Sequence, residues 1–104
     1  MNQKDIIWQN AIDAETRNVM KLPSEELFTL QHFSSCSVEL EGIIVCYGLW
    51  HEGPEQRNVE IHSFILMGER KLFLGFYRKY LAGFSVTPSG EIVSIPDEIL
   101  LSYD

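Results

Sequence analysis

Near the amino terminus apolar residues recur at helical steps. Ile7, Trp8, Ala11, Ile12 and Val19 form one stripe, with Glu15 or Thr16 between them. The spacing predicts a helix that Pro23 ends. Ser24 then stands before Glu25 and Glu26, an N-cap residue followed by acids in the first turn. A second short helix is expected from about Glu25 to Phe33, closed by "SSCS". From Ser37 the texture changes to β-branched and aromatic residues. "SVELEGIIVCYGLW" reads as a strand bulged at Gly42, and "NVEIHSFILM" alternates in the same way. "HEGPEQR" joins them with turn residues. "MGER" has Gly at the first central position of a two-residue loop, a type II′ hairpin signal that returns "KLFLGFYRKY" along "VEIHSFIL". A helical stripe through Leu72, Phe73, Phe76, Tyr77, Tyr80 and Leu81 is the open alternative for that segment. "FSVTPSGEIVSI" is a hairpin with "TPSG" as its turn. The expected fold is α+β: one or two N-terminal helices packed on a four- to five-stranded antiparallel meander sheet.

Pairing sets the faces. With His51 opposite Asn58, Leu49 faces Glu60, Tyr47 faces His62 and Trp50 meets Val59. A Gly-Glu loop in "MGER" sets Ile65 against Leu72 and Ile61 against Phe76. One face then carries Ile44, Cys46, Trp50, Val59, Ile61, Ile65, Met67, Leu72, Leu74 and Phe76, and is expected to receive the helices. The other carries Tyr47, Leu49, His51, Glu60, His62, Phe64, Phe73, Tyr77 and Lys79. Trp8, Ile12, Trp50, Ile61, Ile65 and Phe76 are the expected core.

The 104 residues form one domain, 1–104, without repeat or linker. Two cysteines, Cys36 and Cys46, do not make a disulfide scaffold and read as reduced thiols. No signal-like apolar run opens the chain, and "GIIVCYGLW" is far short of a membrane span. These features point to the cytoplasm and to no membrane partner.

No residue set carries a catalytic signature. His51, Glu60 and His62 resemble a zinc donor set in kind, but His32, His51 and His62 lack ligand spacing, so neither metal nor cofactor is expected. Serines 34, 35 and 37 lack a nucleophile elbow. "FYRKY" interleaves aromatics with bases, as single-strand nucleic-acid platforms do, and also reads as a charged sheet edge.

Charge changes the picture most. Eight basic residues against fifteen acidic give a net charge of −7. Residues 22–56 hold Glu25, Glu26, Glu39, Glu41, Glu52 and Glu55 without one Lys or Arg, whereas residues 57–80 run to +3. An acidic surface repels phosphate, so no direct nucleic-acid binding is expected, and a basic protein partner is favoured. The acidic run "SEEL…VELEG…HEGPE", the aromatic meander and the "IPDEILLSYD" tail resemble the small acidic immunity proteins of bacterial toxin systems, those of contact-dependent growth inhibition above all. The resemblance covers size, charge and texture across the chain. It implies a cytoplasmic protein that binds and neutralises a cognate toxin domain of basic, nuclease-like character. Candidate contact residues are Glu39, Glu41, Glu52, Glu55, Glu60, His62, Tyr47 and Tyr77. Two other classes stay open: a small α+β enzyme or ligand-binding domain using the Tyr/His/Glu sheet face, and an acidic nucleic-acid mimic.

Overall fold

The computed structural model describes residues 2–53 and 60–103. Helix α1 spans Gln3–Met20. It begins where Asn2, in extended backbone, accepts the Asp5 N–H through Oδ1 at 2.9 Å. Its buried stripe is Asp5, Ile7, Trp8, Ala11, Ile12 and Thr16, the face expected from the spacing with one carboxylate added. No helix among the described residues is long and apolar enough to cross a membrane.

Helix α2 spans Ser24–Phe28 and stops short of the expected Phe33. The reason lies in strand β2, Ile43–Glu52. The His51 Nδ1–H donates to the Leu30 carbonyl at 2.9 Å, the His51 N–H to the His32 carbonyl, and the His32 Nδ1–H back to the His51 carbonyl. These bonds draw residues 30–32 alongside β2, so "SSCS" becomes strand rather than helix stop.

Five strands follow: β1 Phe33–Leu40, β2 Ile43–Glu52, β3 His62–Lys71, β4 Tyr77–Val86 and β5 Ile92–Val93. They form one sheet in the order β1-β2-β3-β4-β5 with every pair antiparallel. The fold is therefore α+β, an N-terminal helix on a five-stranded antiparallel meander. "TPSG" turns as expected: the Gly90 N–H donates to the Thr87 carbonyl and the Thr87 N–H to the Glu91 carbonyl, each at 2.9 Å. Helix α3, Asp97–Leu101, closes the chain.

Two turns differ from the sequence reading. "SVELEGIIVCYGLW" is two strands, not one bulged strand. Glu41 and Gly42 both take positive φ, 51° and 79°, and make a two-residue hairpin of the primed kind. "MGER" is not a turn, because Gly68 and Glu69 lie inside β3. Gly68 serves helix packing instead. A Cβ there would lie 3.1 Å from Ile12 Cδ1 and 3.2 Å from the Trp8 ring. Gly68→Val is accordingly expected to destabilise by about 1–3 kcal/mol, the range for overpacking, measurable by urea unfolding. The hairpin turns five residues later, through a 3-10 turn at Phe73–Gly75. Residues 69–81 are thus strand, turn and strand, and the helical alternative does not form.

The faces are reversed. His51 pairs with Phe64 and Tyr47 with Gly68, not with Asn58 and His62. The parity of the β2–β3 pairing survives: Tyr47, Leu49 and His51 still share a face with His62 and Phe64. But that face, expected outside, is the one α1 and α2 cover. The core joins Trp8, Ala11, Ile12 and Leu27 to Val45, Leu49, Phe64, Leu66, Tyr80, Phe84 and Val86. Ile44 is 66 % exposed and Phe76 65 %, with Cys46 and Leu74 also exposed. Met67 and Leu72 are half-buried. On β4 the parity changes too. Ile65 faces Gly83 rather than Leu72, which moves Tyr77 and Lys79 to the outer face, away from His62. Of the expected core, Trp8, Ile12 and Ile65 are buried, whereas Trp50 and Ile61 are half-buried. Val59 and Asn58 lie outside the described residues. Ile65 is buried from the outer side, where Ile95 lies against Gly83 and Tyr103 stacks edge-on to Trp50 at 5.4 Å.

Candidate partner-binding surface

His51 and His62 belong to the packing between helices and sheet, whereas His32 is exposed. His51 gives its Nδ1 proton to the Leu30 carbonyl. Its Nε2 shares a hydrogen bond of 2.8 Å with His62 Nδ1. His51 also stacks on Phe64 at 4.6 Å, and His62 on Phe28 at 4.4 Å. His51 is buried and His62 half-buried. Both His51 ring nitrogens are occupied, and no group of three His, Cys, Asp or Glu suited to a metal ion occurs among the described residues.

Tyr47 is tied down in the same layer. Its hydroxyl donates to Glu15 Oε1 on α1 at 3.1 Å. Burial, with Cys36 and Glu15 beside it, pushes its pKa well above the ordinary phenol range, so it stays neutral. The expected Tyr/His/Glu face is therefore divided. Tyr47, His51 and His62 sit under the helices, Tyr77 projects from the outer face, and Glu60 is exposed before β3 begins. Glu52 is half-buried and engaged within the chain, and Glu55 lies outside the described residues.

A charged cluster escaped the sequence reading. The buried Asp5 carboxylate accepts Arg70 Nη2 at 2.8 Å and Arg78 Nη1 at 2.6 Å. It also accepts the Tyr80 hydroxyl, which in turn takes the Arg70 Nε–H at 3.0 Å. The signal was present: residues 5, 8, 12 and 16 lie on one helical stripe. A carboxylate on a buried stripe needs a cation, and residues 70–79 hold the densest run of them.

The open surface is the part of the outer face of β1 to β3 that Ile95 and Tyr103 leave uncovered. Phe33, Ser35, Ser37 and Glu39 project there from β1, beside Ile44 and Cys46 of β2 and Glu69 of β3, all exposed. Glu39 pairs with Ile44, and Glu41 stands at the turn between their strands. The Phe33 and Trp50 rings cover Gly48, and a hollow of about 200 Å³ lies beside them, lined also by Cys46, Met67 and Glu69. The arrangement is an apolar floor with carboxylates at its rim, which suits contact with another macromolecule better than bond chemistry. Of the residues expected to contact a partner, it brings together Glu39 and Glu41.

No family model, curated protein or solved structure matches the chain.

Proposed function

We propose that this chain is an immunity protein, which binds a cognate toxin domain in the cytoplasm and neutralises it by covering it. One observation carries the reading: the part of the outer face of β1 to β3 that Ile95 and Tyr103 leave uncovered presents exposed Phe33 and Ile44 with Glu39, Glu41 and Glu69 beside them. An apolar floor supplies contact area, and an acidic rim steers a basic partner. A toxin domain that handles nucleic acid presents Lys and Arg to phosphates, and rim carboxylates can take the phosphates' place. The net charge of −7 supports the same pairing.

The test is association of the protein with the toxin domain encoded beside it, across a salt series. Association is expected to slow as salt rises, because exposed charges are screened over roughly 8 Å in physiological salt. Glu39→Lys with Glu41→Lys is expected to slow it by roughly tenfold or more with folding unchanged. Ile44→Asp is expected to speed dissociation. A salt-independent rate, unmoved by either variant, would reject this face as the contact.

A further inference from the structure

The β3–β4 hairpin ends in an apolar tip that the rest of the chain leaves uncovered. Phe73, Leu74, Phe76 and Tyr77 are 78, 83, 65 and 55 % exposed. Leu74 holds φ 58° and ψ 29°, the left-handed region an L-residue with a bulky side chain rarely adopts. Cations stand behind the tip on both strands. Arg70 pairs opposite Arg78, with Lys71 one step nearer the tip and Lys79 one step behind. Asp5 holds both guanidiniums in place, and Tyr80 holds Arg70 as well. A groove of about 410 Å³ runs between tip and cations, lined by Asn2, Arg70, Lys71, Leu72, Phe73 and Arg78. Among the described residues Arg78 bonds only to Asp5, through Nη1, so most of its donors remain open.

We propose that this tip docks the protein on an anionic lipid surface. Phe73, Leu74 and Phe76 enter the boundary of the acyl region, and lipid phosphates meet Arg70, Lys71 and Arg78 in the groove. The layers match. From the apex to the Arg70–Arg78 pair is about four residues, roughly 13 Å along a strand, which places the cations just behind the roughly 5–10 Å to which interfacial apolar side chains enter. Aromatic residues backed by Lys and Arg are the chemistry of a membrane–water interface. The net charge of −7 is unevenly spread. Residues 57–80 run to +3, whereas Glu39 lies on β1 and Glu41 in the β1–β2 turn, beyond Tyr47–Gly68, where the pairing of β2 with β3 ends. The inference goes beyond the toxin-binding reading and does not depend on it.

The experiment is co-sedimentation of the full chain with vesicles of phosphatidylcholine alone or with added phosphatidylglycerol, at low and physiological salt. Partition to the anionic vesicles is expected to exceed that to the neutral ones by roughly tenfold or more, and to fall as salt rises. Phe73→Ser with Phe76→Ser is expected to lower it by about tenfold without moving the thermal midpoint, since both side chains are exposed. Lys71→Glu with Lys79→Glu is expected to erase the preference for anionic lipid. A chain that stays in the supernatant with both vesicles overturns the proposal, as does equal binding to both. Loss of a solution dimer in the serine variant also overturns it, by making the tip a contact between copies.

Discussion

Phe64→Ala is expected to lower the unfolding free energy by about 3–5 kcal/mol, the range for truncating a buried phenylalanine. A domain of this kind has about 5–15 kcal/mol in all, so the variant should stand near the edge of folding. The side chain is fully buried, stacked between His51 at 4.6 Å and Phe84 at 5.0 Å. Its loss removes apolar burial, leaves a cavity under α1 and α2, and takes away the platform beneath His51. Since His51 holds Leu30 and pairs with His62, the damage should spread to the α2–β1 connection. Urea unfolding measures the effect, with Phe76→Ala as the comparison. Phe76 is exposed, so its truncation should stay within about 0.5 kcal/mol. The pair of variants also reports which face the helices cover. A neutral Phe64→Ala together with a severe Phe76→Ala would mean that the helices pack on the opposite side.

The second large effect is expected at Asp5. Its carboxylate pKa is lowered from 3.8 to about 2, first by the Tyr80 hydroxyl, then by Arg70 and Arg78 and the Asn2 cap, with burial opposing them. The folded state thus prefers the ionised carboxylate more than the unfolded chain does. That preference contributes stability at every pH above the ordinary carboxyl range, and the contribution is lost as pH falls from about 4 through about 2. Asp5→Asn keeps the shape and removes the charge, leaving Arg70 and Arg78 facing each other across β3 and β4 without their anion. Its urea midpoint should fall well below that of the unaltered protein at neutral pH, and the gap should close as the pH approaches 2. A gap that stays constant over this range would show that the charge of Asp5 has no part in holding the tip's cations.

Much of the fold was legible. The amphipathic stripe from Ile7 to Thr16 located α1, because a helix facing a sheet must repeat its apolar side every three to four residues. "TPSG" and the alternating runs marked the meander, since turn residues and strand residues differ in what backbone they accept. The candidate surface was legible in part. Glu39 and Glu41 project outward because a carboxylate on a hairpin end has no reason to leave water, whereas Tyr47 and His62 look equally polar in the sequence and lie under the helices. Their hydroxyl and ring nitrogens are satisfied by Glu15 and His51, partners 32 and 11 residues away, and local pattern does not reveal them.

By itself the sequence determined α1, the antiparallel run of strands from β2 to β5 and the parity that puts Tyr47, Leu49 and His51 on one side, but it merged β1 into β2 and left α3 as a tail. It determined these because helix period, strand alternation and turn chemistry are local properties. The tertiary structure alone decided which side of the sheet is covered. Both sides are apolar, Ile44, Trp50, Ile65 and Met67 against Val45, Leu49, Phe64 and Leu66, so alternation ranks neither. Three distant contacts break the tie. Gly68 lets Trp8 and Ile12 approach, His51 captures the Leu30 carbonyl, and Asp5 reaches Arg70 and Arg78 across the chain. Each joins residues that are remote in sequence, and those of Gly68 and Asp5 exist only after α1 has settled on that face.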